Sequence, residues 1–457
     1  MIQSINPAND QTLATFQPHD DQSIDAALKA ADAAQKNWAH HSILERMPYL
    51  SRVASVLRRD KEALGRLITL EMGKPLAEAI GEVEKCAWNF DFYAQSAPGY
   101  LADLVLPSSA SDSRLVYDPL GIVLAVMPWN YPFWQVMRAA APVLASGNGL
   151  VLKHASNVPQ CALALESVFK EAGLPLGLFS VLLVGADKVP QLIKDPRIKA
   201  VTFTGSTPAG RQIASASAFA LKKQVLELGG SDPFIVLADA DVQAAAKVAV
   251  KARFQNTGQS CIAAKRFIVE VSVADAFVSA FCDFARELKI GDPMSVTATQ
   301  GSMARRNLRD ELHAQVQASI SEGAKLLMGG RPVEGPGAFY EPTVFDHVLP
   351  TMTVAREETF GPAAAIMRVA DVSEAQRIAN DSPFGLGAAI WSQDIDRAHQ
   401  LARHIQAGAV FINGMVASDP RLPFGGTKDS GYGRELGMLG MHEFTNIKTV
   451  WRGPALI

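Results

Sequence analysis

Helical spacing of apolar residues dominates the first quarter of the chain. Between residues 22 and 96, apolar side chains recur three and four positions apart, which is the period of a helix with one buried face. Two prolines, Pro75 and Pro98, punctuate this pattern. The spacing predicts helices over Ala26–Trp38, Leu44–Arg59, Lys61–Met72 and Ala77–Tyr93.

From Leu115 onward, short apolar runs alternate with amphipathic segments. Residues 115–128 predict two strands, and the later strands fall at 149–153, 179–185, 199–205, 233–238, 266–271, 364–369, 387–392 and 408–413, with a further apolar segment at 222–230. The helices between them are predicted at 159–172, 190–195, from Thr207, and at 241–256, 274–288 and 395–405. Strands that alternate with helices form mostly parallel sheets covered by helices, so we predict an α/β fold of two adjacent units.

Length and composition narrow the class of protein. A chain of 457 residues is long enough for two or three domains, and its net charge of −3 gives no bulk attraction to nucleic acid or anionic membranes. The N-terminal residues are polar where a signal peptide would be apolar, and the apolar run at 121–129 is too short to cross a bilayer. Four separated cysteines and nine unclustered histidines argue against a disulfide framework or a metal site. We therefore expect a cytoplasmic protein without a catalytic metal.

Cys261 is the strongest candidate nucleophile. It lies in FQNTGQSCIAAKRFIV (254–269), a loop of small residues between a predicted helix and a predicted strand. A thiolate is a powerful nucleophile when its pKa is lowered or a base is near. The alternative is a small buried apolar residue, and we assign that role to Cys86, Cys161 and Cys282, which lie in helical apolar patterns.

Glu227 and Asn130 follow apolar runs. Glu227 precedes two glycines, and burial there would raise its pKa and suit it to general-base catalysis, although a solvated strand end is an equally good interpretation. The Asn130 amide could donate to an oxyanion, or the residue could simply form a turn before Pro132.

A weak nucleotide-binding signal lies in FTGSTPAG (203–210), where a strand meets a helix. Gly205 permits close backbone approach, and the helix N-terminus with Ser206 could hold a phosphate. Lys153 at the end of a predicted strand could reach a ribose or phosphate, or could be a solvated strand end.

Taken together and in order, these segments resemble one family. PWNYPFW, VLKHAS, FTGS, LELGGSDP, GQSCIAAKR, EETFGP and PFGGTKDSGYGRE are similar to the signature segments of the aldehyde dehydrogenase superfamily, and the similarity covers essentially the whole chain. The resemblance implies a Rossmann-type cofactor domain (1–100 and 120–229), an α/β catalytic domain (230–442) and a small β oligomerisation arm (101–119 and 443–457). It also implies a homodimer or homotetramer.

The resemblance assigns catalytic roles by position. Cys261 would attack the aldehyde carbon, Asn130 with the Cys261 N–H would stabilise the oxyanion, and hydride loss to NAD or NADP would leave a thioester that Glu227 hydrolyses to the acid. The cofactor-binding residues would be Trp129, Lys153, Ser156, Gly205, Ser206, Glu358 and Phe360. Many relatives carry lysine nine residues after the asparagine, but this chain has Ala139 there, so a proton relay through that lysine is absent or replaced.

Substrate and cofactor preferences follow from finer resemblance. MPWNYPFWQVMR, KHASN, GGSDPF and FINGMVASDPRLPFGG most resemble bacterial succinate-semialdehyde dehydrogenases. Trp134, Arg138 and Ser418 would bind the substrate, with Arg138 gripping its distal carboxylate from a helix that would begin at about Pro132. Alternatively, Arg138 forms only a surface salt bridge and Trp134 is simply a core residue. Ser156 lacks the carboxylate that would repel a 2′-phosphate, so we expect NADP to be preferred.

Three alternatives remain open at this point. The first is another aldehyde, such as glutarate semialdehyde or a neutral aliphatic one. The second is transfer of the acyl group to CoA, against which Glu227 argues because that reaction needs no water-activating carboxylate. The third is a structural protein that has kept the fold without the activity.

Overall fold

The computed structural model describes residues 1–454, and its first hundred residues are mostly helical. The elements are β1 (Ile2–Ile5), β2 (Thr12–Phe16), α1 (Asp21–Ala39), α2 (Ile43–Arg59), α3 (Lys61–Met72) and α4 (Leu76–Tyr100). The four predicted helices are confirmed. Pro98 does not end α4, because a proline in the last turn removes only one of the helix's N–H bonds and the chain continues for two more residues.

The next part of the chain builds a parallel sheet. Its elements are β3 (Leu104–Val105), β4 (Asp112–Pro119), β5 (Ile122–Met127), α5 (Trp134–Ala145), β6 (Gly149–His154), α6 (Pro159–Glu171), β7 (Phe179–Val181), α7 (Val189–Lys194), β8 (Ile198–Thr204), α8 (Thr207–Phe219) and β9 (Lys223–Glu227). Strands β5 to β9 are parallel and lie in the order β9-β8-β5-β6-β7. The strand predicted at 179–185 ends at Val181, since the Leu183 carbonyl accepts from His19 rather than from a neighbouring strand.

Both faces of this sheet are buried, as expected for a parallel sheet. On β5, Ile122, Leu124 and Val126 pack with α7, α8 and the start of α1. The intervening residues Val123, Ala125 and Met127 pack on the opposite side, in the core shared with α2, α4, α5 and α6. Because both faces of the strand are buried, only residues at the strand ends are available for catalysis or ligand binding.

A second α/β unit follows. Its elements are β10 (Asp232–Val236), α9 (Val242–Phe254), β11 (Ala264–Glu270), α10 (Val271–Arg286), α11 (Arg306–Ser321), β12 (Lys325–Met328), β13 (Thr343–Asp346), α12 (Thr353–Arg356), β14 (Ala363–Val369), α13 (Val372–Asn380), β15 (Phe384–Gly385), β16 (Gly387–Trp391), α14 (Ile395–Ala402) and β17 (Ala409–Ile412). Seven strands form one sheet in the order β12-β13-β14-β11-β10-β16-β17, parallel except for the β12–β13 pair. The predicted α/β class with two units is confirmed.

The last elements return to the first unit. They are β18 (Thr427–Lys428), β19 (Gly431–Tyr432), α15 (Gly437–His442) and β20 (Thr445–Arg452). Strand β19 adds to the first sheet antiparallel to β9, and β20 forms a separate antiparallel sheet with β4 and β3. The predicted division into three domains stays a prediction. No helix within residues 1–454 is both long and apolar enough to cross a membrane.

Candidate active site

The candidate residues of the first unit collect at one edge of its sheet. Asn130 follows β5, Lys153 lies near the end of β6, Gly205 follows β8 and Glu227 ends β9. Carboxyl ends of parallel strands meet at the same edge, and the strand order changes direction between β5 and β8. Such a switch point opens the crevice in which α/β sheets bind their ligands.

A tightly wound segment delivers Cys261 to that edge. Asn256 and Thr257 both have φ of 56°, in the left-handed region that costs a non-glycine residue about 1–3 kcal/mol. Glu78 accepts the Asn256 N–H at 2.8 Å, and the Asn256 amide donates to the carbonyls of Asn130 and Gln259 at 2.9 Å each. These bonds stabilise the turn that aims the Cys261 loop toward the first sheet.

Lys265 fixes the backbone of the same loop. Its buried ammonium donates to the Ser260 carbonyl at 3.0 Å and to the Cys261 carbonyl at 2.9 Å. It also lies 3.6 Å from a carboxylate oxygen of Glu358. The nucleophile loop is thereby connected to the loop that carries two of the predicted cofactor residues.

The Cys261 side chain is half-buried and lines a cavity of about 590 Å³. Burial raises the pKa of its thiol to about 12, and the positive charges of Arg138 and Lys265 oppose that rise. The thiol is therefore protonated near neutral pH and needs a base. The other three cysteines are buried within α4, α6 and α10, as predicted.

Glu227, the candidate general base, lies at the end of β9. Its side chain is buried, and neither carboxyl oxygen has a hydrogen-bond partner among residues 1–454. Burial raises the pKa of Glu227 well above its ordinary value; Arg138 opposes the rise and Glu435 adds to it. The charge of Glu227 in turn raises the pKa of Cys261, so the two groups are electrostatically coupled. A carboxyl group in this setting exchanges protons closer to neutral pH.

The Asn130 amide is packed against the nucleophile loop. The residue is buried, and its Nδ2 donates to the Gln259 carbonyl at 3.1 Å. Gln135 holds the other end by donating to Oδ1 at 3.5 Å. Since an amide nitrogen carries two N–H groups, one is not used by the Gln259 carbonyl.

The predicted cofactor residues border the crevice of the first sheet. Lys153 is buried, which lowers the pKa of its ammonium, whereas Ser156 is exposed two residues beyond β6. Gly205 leads into α8, and Ser206 precedes that helix without a side-chain cap bond. A cation, two hydroxyls and a helix N-terminus fit the phosphates and ribose of a dinucleotide.

Glu358 and Phe360 reach the same crevice from the second unit. Glu358 accepts the Gly230 N–H at 3.0 Å, and a Cβ at Gly229 would lie 2.4 Å from its other carboxyl oxygen, so a side chain there would displace Glu358. Phe360 packs edge-on against Trp129 with ring centroids 5.7 Å apart. The structure thus brings together residues more than 200 positions apart in the chain.

The three predicted substrate residues line the cavity that contains Cys261, at Trp134, Arg138 and Ser418. The alternative of a surface salt bridge for Arg138 is wrong, because the side chain is only 2% exposed and forms a buried ion pair with Glu435. Arg138 also donates to Thr204 Oγ1 at 3.3 Å. Helix α5 begins at Trp134 rather than near Pro132, since Glu82 accepts the N–H groups of Phe133 and Trp134.

Sequence reasoning missed the contribution of α4 to this cavity. Glu78, Glu82 and Lys85 all line it from one face of the helix. Their spacing of three and four residues in an otherwise well-buried helix was an available signal, because charges at this period share one side. Glu435 was also missed, and nothing in its local sequence marks it as the partner of Arg138.

No cluster of three or more histidine, cysteine, aspartate or glutamate side chains suited to a metal ion is found in the described part of the chain. The site combines a half-buried thiol, a buried acid and an amide donor near the edge of the first sheet where the strand order changes direction. A thiol, an acid and an amide donor of this kind can support covalent catalysis through a cysteine.

Comparison with known proteins identifies the protein family. The profile of the aldehyde dehydrogenase family matches residues 1–450, and the chain belongs to this family. It is 50% identical over 98% of its length to a probable succinate-semialdehyde dehydrogenase [NADP(+)] of Synechocystis sp., covering 99% of that protein. It is 49% identical over 98% of its length to the Escherichia coli K12 succinate semialdehyde dehydrogenase [NAD(P)+] Sad, covering 97% of that protein.

The fold also resembles that of a solved structure. The Streptococcus pyogenes succinic semialdehyde dehydrogenase, crystallised with NADP+ as the cofactor, matches with a TM-score of 0.96 and 37% identity, over 99% of both chains.

Proposed function

We propose that this protein oxidises succinate semialdehyde to succinate with NADP or NAD, through a thiohemiacetal and then a thioester on Cys261. The observation that carries the proposal is the cavity, which joins the Cys261 thiol to a wall containing Trp134, Arg138 and Ser418. An aldehyde at the thiol would thus have polar donors within the same enclosure for a second functional group. The names of the two relatives above support the same substrate.

Each residue has a defined task in this reaction. Cys261 Sγ, once its proton has been removed, bonds to the aldehyde carbon. The Asn130 amide and the Cys261 N–H stabilise the oxyanion, and losing one such donor typically costs ~3–4 kcal/mol of transition-state stabilisation. Bound NAD or NADP supplies the hydride acceptor. Glu227 then takes a proton from the water that attacks the thioester carbon, which releases the carboxylic acid and restores Cys261.

The cofactor would be held by the residues around the first sheet's edge. We assign to it Trp129, Lys153, Ser156, Gly205, Ser206, Glu358 and Phe360. Ser156 is exposed beyond β6 and adds no negative charge beside Lys153, so a 2′-phosphate would meet a hydroxyl and a cation there. This arrangement supports a preference for NADP.

The active form would be a homodimer or a homotetramer. Strand β20 is an edge strand of eight residues, bonded to β4 on one side only within the described chain. Exposed edges that carry apolar side chains invite pairing with another chain. We therefore assign the β3–β4–β20 sheet to contacts between subunits.

A panel of substrates tests the function. Purified protein would be assayed with succinate semialdehyde, glutarate semialdehyde and butanal, with both cofactors, and with and without CoA. We expect the highest kcat/KM with succinate semialdehyde and NADP, free succinate as product, and no effect of CoA. Ser156→Glu should shift the cofactor ratio toward NAD. A wild-type preference for butanal or glutarate semialdehyde would refute the substrate assignment, and an unchanged cofactor ratio would refute the role of Ser156.

A further inference from the structure

Lys85 reaches the active-site cavity from the middle of α4. Its ammonium donates to Ser418 Oγ at 2.8 Å and lies 4.3 Å from the centre of the Trp134 ring. All three side chains line the cavity that contains Cys261. Lys85 therefore joins two side chains of the cavity wall, one on α5 and one in the loop after β17.

The other cations in the cavity wall are either paired with a carboxylate or exposed to solvent. Arg138 is buried against Glu435, which compensates its charge. Lys247 and Lys251 lie on α9 and are exposed. Solvent screens exposed charges strongly, so they contribute little to binding a small anion.

Lys85 differs from Arg138 because no carboxylate within residues 1–454 lies within 4.0 Å of its ammonium, and from Lys247 and Lys251 because its side chain is partly buried. The two acids nearest to it are already engaged. Glu82, one turn earlier on α4, is bonded to Lys74 at 2.5 Å, and Asp419, beside Ser418, is bonded to Arg421 at 2.6 Å. A partly buried cation without a counter-ion is costly unless a ligand supplies the negative charge.

The hydrogen bond between Lys85 and Ser418 also leaves donors available for an anion. Ser418 Oγ accepts from Lys85, so its own hydroxyl hydrogen is free to donate elsewhere. The ammonium has two further N–H groups, while the Trp134 ring covers one side of it. Lys85 and Ser418 thus present adjacent donors to the same enclosure, which is what a carboxylate with two acceptor oxygens requires.

We propose that Lys85, together with the Ser418 hydroxyl, binds the distal carboxylate of the substrate and gives the enzyme its preference for aldehydes that carry one. This inference rests on the proposed function. It adds a second cation to the cavity wall in addition to Arg138, whose charge is shared with Glu435 and acts on Glu227 and Cys261. Lys85 is then a specificity-determining residue rather than a participant in the chemistry.

Two matched substrates test the proposal. Succinate semialdehyde and butanal have the same chain length and differ in the distal carboxylate. Lys85→Met, which keeps most of the aliphatic stem, should raise KM for succinate semialdehyde by roughly 10- to 100-fold, the usual effect of losing a hydrogen bond to a charged group. The kcat with this substrate and both constants with butanal should stay within about twofold, since the chemistry at Cys261 is untouched. Lys85→Arg should retain most of the preference because it keeps the charge.

Lys247→Met is the matched control, since it removes an exposed lysine from the rim of the same cavity. It should leave the substrate ratio unchanged. A Lys85→Met enzyme that loses activity equally toward both aldehydes, or that keeps the wild-type ratio, would overturn the assignment of Lys85. A wild-type enzyme with no preference for succinate semialdehyde over butanal would instead overturn the proposed function.

A binding measurement without cofactor supports the kinetics. Succinate and butyrate would be compared as protectants of Cys261 against alkylation by iodoacetamide. In the wild type we expect protection at a much lower concentration of succinate than of butyrate, and in Lys85→Met at similar concentrations of the two. Equal protection by the two ligands in the wild type would count against a distal carboxylate site.

Discussion

Burial acts in the same direction on the pKa values of Cys261 and Glu227, the two groups to which we assign the chemistry. It raises the pKa of the Cys261 thiol to about 12 and the pKa of Glu227 well above its ordinary range. Burial therefore favours the protonated form of both groups. Arg138 opposes both shifts, so its charge favours ionisation of the thiol and of the acid.

The first prediction concerns Glu227. Glu227→Gln keeps the shape of the side chain but cannot accept a proton from water, so steady-state kcat should fall by about 10²–10⁴-fold. Wild-type kcat should rise with pH as Glu227 loses its proton above its raised pKa, and this limb should vanish in the variant. Cys261 should still react with iodoacetamide, which shows that the site is intact. Wild-type turnover in Glu227→Gln would exclude this residue as the base.

The second prediction concerns the pH dependence of substrate binding. Burial lowers the pKa of Lys85 to about 8, and Arg138 adds to the lowering while Cys86, Glu82 and Asp419 oppose it. Lys85 is charged below this pH and neutral above it. KM for succinate semialdehyde should therefore rise as pH increases beyond about 8, and KM for butanal should not. Parallel pH profiles for the two aldehydes would contradict the anion-binding role of Lys85.

At the scale of elements, Glu82 on α4 determines where α5 begins. One carboxyl oxygen accepts the N–H groups of Phe133 and Trp134 at 2.8 and 2.9 Å, and the other bonds to Lys74. A carboxylate at a helix N-terminus satisfies the free N–H groups and complements the helix dipole. This contact joins α4 to α5, and it positions Trp134 and Arg138 in the cavity.

The third prediction follows from that contact. Glu82→Ala would leave the fully buried Lys74 ammonium without a partner, so we expect the free energy of unfolding to fall by about 3–5 kcal/mol. Glu84→Ala is the control, because Glu84 is a partly exposed residue of the same helix paired with Arg58, and its loss should cost about 0–1 kcal/mol. Urea denaturation followed by tryptophan fluorescence would measure both. Similar losses in the two variants would contradict the role given to Glu82.

At the scale of the whole molecule, the two units are linked through the chain's last forty residues. Strand β19 returns from the second unit to extend the first sheet beside Glu227, and β18 pairs with β15. Strand β20 then leaves Ile447, Val450 and Trp451 exposed on the outer sheet. These side chains mark the surface that we assign to subunit contacts.

The fourth prediction tests that surface. The double variant Ile447→Lys/Trp451→Lys places two charges on one face of the edge strand, which should disfavour pairing with a second copy. Light scattering should give wild-type protein a mass of two or four chains of 49.0 kDa, and the variant a single chain. Val296→Lys, at an exposed residue outside the β20 sheet, should leave the mass unchanged. A wild-type mass of one chain would refute the assembly.

The sequence by itself determined most of the elements, the α/β class and the candidates for the reactive residues, but it did not predict α11, α13, β12 and β13. Helical and strand periods depend on neighbours a few positions away, and the segments around Glu227 and Cys261 are specific enough to indicate the family without coordinates. Boundaries were less accurate where a distant group intervened, as at α5, whose start depends on Glu82 about fifty residues earlier.

Only the tertiary structure decided which charges meet. It paired Arg138 with Glu435, left Lys85 without a counter-ion beside Ser418, and buried Glu227 near Cys261. Local sequence cannot contain this information, because charge compensation and desolvation depend on side chains brought together from positions hundreds of residues apart.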